Sequence, residues 1–115
     1  MLIETLEHAE VCSVIFIRDY IQFYFEGEEN NGTLTTYSLP VAIVDGTDFE
    51  SGTSGYRDAL CSFINLQVNR FEIIKGEKIT ITFENEDRLE VSLKKEDSNG
   101  FEAAMLRIEN QIAVW

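Results

Sequence analysis

The run from Lys78 to Lys94, KITITFENEDRLEVSLK, restricts the fold more than any other part of the chain. Ile79, Ile81 and Phe83 alternate with Thr80, Thr82 and Glu84, and Leu89, Val91 and Leu93 alternate with Glu90, Ser92 and Lys94. Strict alternation gathers the apolar side chains on one face of an extended strand. Asn85-Glu86-Asp87 supplies turn chemistry between the two runs. The pattern predicts an antiparallel hairpin in which Phe83 faces Leu89, Ile81 faces Val91, Ile79 faces Leu93 and Glu84 faces Arg88.

Other segments read in the same way. Val11 to Ile17 is β-branched and aromatic, Arg18-Asp19 can turn the chain, and Tyr20 to Glu26 alternates Ile21, Phe23 and Phe25 against Tyr20, Gln22 and Tyr24. Residues 27–32, GEENNG, read as a loop, and Thr33 to Leu39 as a strand stopped by Pro40. Val41 to Val44 reads as an edge strand, and residues 45–55, DGTDFESGTSG, as a loop. Ser54 is a candidate N-cap for a helix over about residues 55–65, where Tyr56, Ala59, Leu60, Phe63 and Ile64 recur at helical spacing. Val68 to Ile74 is a further strand, Phe101 to Ile108 a candidate short helix, and Ile112 to Trp115 a candidate last strand.

Two segments resemble each other. Val11, Val14 and Phe16 match Val68, Phe71 and Ile73. Ile21, Phe23, Phe25 and Glu26 match Ile79, Ile81, Phe83 and Glu84. Thr35, Tyr37 and Leu39 match Leu89, Val91 and Leu93. The expectation is a single α+β domain over residues 1–115. It has two repeat-like three-stranded meanders, residues 11–39 and 68–94, packed with one central helix and a short C-terminal helix.

The chain has 115 residues and a net charge of −12, of which residues 1–50 hold −9 with Arg18 as their one base. Such a surface disfavours nucleic acid and anionic membrane and suits a basic partner. No run approaches the roughly 18 apolar residues of a membrane span. The acidic N-terminus does not read as a signal peptide, so the expected compartment is the cytoplasm. There Cys12 and Cys61 are expected to be small buried thiols, not a disulfide.

Motifs for catalysis are absent. His8, the one histidine, lies in a poorly patterned segment that is a weak scaffold for a nucleophile–base pair. Residues 45–56 do not meet the spacing of a calcium loop, so no metal site is expected. Glycines 46, 52 and 55 precede a helix but lack a Gly-Lys-Ser/Thr element, so no phosphate cradle and no cofactor are expected. The remaining chemistry is binding. Tyr20 and Tyr24, on the strand face opposite the phenylalanines, adjoin Glu26, Glu28 and Glu29. Tyrosines beside carboxylates are a partner-binding composition, with Asp45, Asp48 and Glu50 as further candidates.

The helix segment DALCSFIN, the meander VNRFEIIKGEKITITFENEDRLEVSL, GFEAAML and the terminal Trp115 together resemble the small acidic immunity proteins of bacterial toxin–immunity systems, including contact-dependent inhibition. The resemblance covers residues 54–115. It implies a non-catalytic protein that neutralises one cognate toxin with a basic surface, for example a nuclease. No family binding residues carry over. Two rival classes are a small enzyme built on carboxylates and a regulatory or assembly subunit that self-associates through sheet edges.

Overall fold

A computed structural model describes residues 3–97, 100 and 102–115. Strand makes up 52% of the described residues and helix 12%, which overturns the α+β expectation of two meanders and two helices. Among the described residues ten strands form two antiparallel five-stranded sheets, ordered β1-β2-β3-β9-β10 and β5-β4-β8-β7-β6. The first sheet holds β1 (Glu10–Ile17), β2 (Tyr20–Glu26), β3 (Asn31–Thr36), β9 (Ala104–Ile108) and β10 (Gln111–Val114). The second holds β4 (Val41–Val44), β5 (Thr47–Phe49), β6 (Val68–Ile74), β7 (Lys78–Phe83) and β8 (Arg88–Ser92). The inner residues of both sheets share one apolar core, with Phe23, Phe25, Leu34, Leu60, Phe63, Ile81, Phe83, Leu89 and Leu106 at 1% exposure or less. Phe25 meets Phe71 edge-on at 6.2 Å, and Phe63 stacks on Phe83 at 4.6 Å.

The β7–β8 register differs by two residues from the one the alternation predicts. Ile79 pairs with Val91 and Ile81 with Leu89, while Phe83 lies at the mouth of a longer turn in which its N–H donates to the Asp87 carbonyl. An even shift keeps every apolar side chain on its own face, so alternation alone does not distinguish the two registers. Glu86, with φ 74°, and the Asp87 N–H donating to the Asn85 side chain shape that turn. The β2–β3 turn is also shorter than expected. β3 begins at Asn31 and pairs Phe23 with Leu34 and Phe25 with Gly32, so Leu34 and Thr36 face the core, not Thr35, Tyr37 and Leu39. Gly32 leaves room for Leu6, whose methyl carbons lie 3.0–3.1 Å from where a Cβ would stand.

The same five-strand pattern occurs twice, and each copy gives its last hairpin to the other copy's sheet. β1-β2-β3 joins the β9–β10 hairpin, and β6-β7-β8 joins the β4–β5 hairpin. The pairs Val11–Phe25, Val14–Phe23 and Phe16–Ile21 correspond to Val68–Phe83, Phe71–Ile81 and Ile73–Ile79, with a register irregularity after Val11 in one copy and Val68 in the other. Leu34–Leu106 corresponds to Leu89–Ala42. The sheets meet where β1 and β6 begin. There Val11 N–H donates to the Leu66 carbonyl and Val68 N–H to Ala9, while Asn65 N–H donates to Val11 and His8 N–H to Val68. These bonds are reciprocal, as around a local two-fold axis. His8 and Asn65 hold matching left-handed conformations there, φ 72° and 75°, which only a few non-glycine residue types adopt readily.

The central helix, α1, covers Tyr56–Cys61 rather than residues 55–65; Gly55 caps it at φ 85° with no side-chain bond, so Ser54 is not the cap. Residues 104–108 of the expected C-terminal helix are strand β9, and Phe101 lies outside the described residues. β4 is internal to its sheet and β5, expected as loop, is the edge. Cys12 and Cys61 are exposed, not buried. Tyr56 is buried, its hydroxyl donates to the Pro40 carbonyl, and burial pushes its pKa up to about 12. Among the described residues no helix is long and apolar enough to cross a membrane.

Candidate functional site

Each sheet turns one face to the core and one outward, and the two outward faces differ sharply in chemistry. Cross-strand register lines up Arg70, Thr82, Arg88, Ile43 and Asp48 in one row of the second sheet, and Glu72, Thr80, Glu90 and Val41 in the next. Lys78 lies 3.3 Å from the Glu90 carboxylate, and Arg88 lies 3.8 Å from it. This face carries balanced charges at its exposed positions, Arg70, Glu72, Arg88 and Asp48, around Ile43, Thr80 and Thr82, which are buried. The corresponding rows of the first sheet are Ser13, Tyr24, Thr33, Arg107 and Ile112, then Ile15, Gln22, Thr35, Met105 and Val114. Arg107 is the one charged residue in those rows.

Burial agrees with register except at Thr35, which lies between Gln22 and Met105 and is 2% exposed. Tyr24, Ile17, Ile112 and Val114 are exposed by 38%, 44%, 52% and 49%, and among the described residues no helix lies over this face. Gln22 donates to the Thr35 hydroxyl at 3.1 Å, and Tyr20 packs edge-on against Tyr37 at 5.8 Å, so the polar groups between the apolar ones are already ordered. An uncovered sheet face of tyrosine, isoleucine, valine and methionine has the composition of an interface core.

Carboxylates border one end of this face. β2 ends at Glu26, directly opposite Glu10 of β1. Like charges opposite each other in an antiparallel ladder oppose pairing. Beyond them Glu4, Glu7, Glu28 and Glu29 line a cleft of about 400 Å³ with Thr5, His8 and Gln67. None of these six carboxylates belongs to an ion pair among the described residues. The field is felt nearby: partial desolvation of the sulfur and then the Glu26 carboxylate hold the Cys12 thiol, on an otherwise exposed residue, above its ordinary pKa.

The structure thus brings Tyr20, Tyr24, Glu26, Glu28 and Glu29 to one sheet and its border. It does not bring Asp45, Asp48 and Glu50 there. Asp48 sits on the second sheet between Ile43 and the turn, and Asp45, in that turn, donates its N–H to the Asp87 carboxylate. Ile15, Ile17, Met105, Ile112 and Val114 join Tyr20 and Tyr24 on this face without having been expected there. The alternation of Ile15 and Ile17 was visible. The other three reach this face only because the last hairpin crosses to the sheet of the first three strands. Among the described residues no group of three or more histidine, cysteine or acidic side chains is placed to hold a metal ion. No protein-family model matches the chain, and comparison with curated proteins and with solved structures finds no match.

Proposed function

We propose that this protein is a non-catalytic binding module. It docks a basic protein partner on the outer face of the first sheet, with Tyr20, Tyr24, Ile17, Ile112 and Val114 as the apolar contacts. Glu10, Glu26, Glu28 and Glu29 form an acidic border. The observation that carries the reading is the contrast between two faces of equivalent architecture. One is closed by its own ion pairs, and the other is aromatic, uncovered and edged by unpaired acids. The border steers a positively charged partner and raises its association rate, while the centre supplies buried area. A toxin domain with a basic surface, neutralised by this chain as its immunity protein, is the partner that this chemistry and the sequence resemblance both favour.

The test is affinity capture from the source cell followed by binding kinetics with the captured partner. Tyr24→Ala should raise the dissociation constant by about tenfold or more, since buried interface tyrosines are among the residues that dominate binding. A Glu26→Lys, Glu28→Lys, Glu29→Lys variant should associate more slowly at low salt, with the deficit shrinking as salt rises. Unchanged kinetics in both variants would move the interface off this sheet. The uncharged β10 edge, with Ile112 and Val114 exposed, favours a second reading, self-association through that edge. If no partner is captured and Ile112→Lys dissolves a dimer of the parent chain, that reading replaces the first.

A further inference from the structure

The opposite end of the β1–β2 hairpin carries a second concavity, of about 780 Å³, between the hairpin turn and the loop that leads into α1. Its floor is apolar: Phe16, Ile17 and Leu39, each about 40% exposed, with Ile21 beneath. The loop residues 51–55, Ser-Gly-Thr-Ser-Gly, form the opposite wall with small side chains and hydroxyls. Arg18 and Arg57 also line it. These are the only two lysine or arginine residues in residues 1–69, they lie far apart in sequence, and the fold brings both to one cleft. Neither belongs to an ion pair among the described residues. The Arg57 guanidinium lies 5.9 Å from the centre of the Phe16 ring, which presents its donors beside the apolar floor. In a chain of net charge −12, a paired cationic, apolar-floored cleft is out of keeping with the rest of the surface.

The geometry points to a binding site for a small organic acid: one carboxylate held by Arg18 and Arg57, and an apolar body laid on Phe16, Ile17 and Leu39. The volume lies within the roughly 300–1,000 Å³ of small-molecule sites, which are mostly apolar with few converging polar groups. Guanidinium groups bind carboxylates through paired, charge-assisted hydrogen bonds. Asp58, the one carboxylate in the lining, and the acidic chain as a whole weigh against a multiply charged anion. A single negative charge on an apolar body fits both wall and floor. This site shares Ile17 with the margin of the proposed protein-docking face, but it rests on the two arginines and stands or falls without that reading.

The experiment is an amide-resolved NMR titration of the full chain with decanoate, kept below its micellar concentration, beside the neutral isostere decanamide. Saturable shifts confined to residues 16–18, 39 and 51–58 are expected with decanoate and not with decanamide. Arg18→Gln with Arg57→Gln should weaken decanoate by roughly tenfold or more, the scale of a lost charge-assisted hydrogen bond. Both arginines are exposed, so the spectrum away from the cleft should superimpose on the parent's and report an intact fold. Absence of saturable shifts in the cleft, equal binding of decanamide, or undiminished binding by the double variant each overturns the proposal. If decanoate fails and a hexapeptide with a free C-terminal phenylalanine binds there, the small-acid class is wrong and a chain terminus is the ligand.

Discussion

Tyr56 shows how much one side chain in this fold can carry. It opens α1, fills the core beside β4 and ties the helix to Pro40 through its hydroxyl. The unfolded chain ionises a tyrosine near pH 10, whereas the folded chain holds the Tyr56 proton to about pH 12. The folded state therefore binds more protons in that window. The contribution is complete below pH 10 and is lost as the pH rises toward 12. Tyr56→Phe should lower stability at pH 7 by about 1 kcal/mol, the net worth of one hydrogen bond. It should also show a shallower loss of stability between pH 10 and 11 than the parent, read from urea midpoints. Equal alkaline slopes would mean the phenol is not protected. Helical spacing marks Tyr56 as a core residue but not its partner, because nothing local links a helix start to a carbonyl 16 residues earlier. The exposure of the cysteines was not legible either, since it depends on the edge position of β1 and on the helix end.

Among elements, those bounded by clear turns and alternating strictly were legible: β1, β2, β6 and β7 lie where VCSVIFI, YIQFYFE, VNRFEII and KITITF place them. β3 was not, because Leu34 and Leu39 have opposite parity and each can claim the inward face. β9 was misread because Ala, Met, Leu and Arg are strong helix formers. Its place between β3 and β10 decides the matter, as tertiary context does for strands. The Tyr20–Tyr24 part of the candidate site followed from alternation. The contribution of β9 and β10 did not. The β1–β2 ladder carries a feature that folding alone does not favour, the opposition of Glu10 and Glu26. Glu26→Gln should raise stability by a few tenths of a kcal/mol, within the range of cross-strand pairs. That gain should shrink in added salt, since both groups are exposed. Thermal melts at low and high ionic strength check both statements. A variant that is less stable than its parent would show that the pair is not repulsive.

At the scale of the whole molecule, the exchange of the two hairpins means that neither half holds a complete sheet. Residues before the α1 loop supply three strands to one sheet and two to the other, and residues after it supply the complement. Ladders such as Leu34–Leu106 and Ala42–Leu89 join positions far apart in the chain. Alternation predicts two similar meanders but not the crossing, since period-2 patterns say which face a strand buries and not which neighbour it takes.

The covalent link between the two copies runs through the exposed loop 50–55, away from the ladders that hold them. Backbone exposed in this way is where proteases cut. A single cut between Thr53 and Ser54, at an introduced protease site, should therefore leave a nicked molecule that does not come apart. Each fragment is clasped by a hairpin of the other, like two hands with interlocked fingers. Native mass spectrometry should find both fragments in one particle at the mass of the uncut chain plus one water, while denaturing conditions release two. Fragments that separate on gel filtration without denaturant would show that the clasp does not hold.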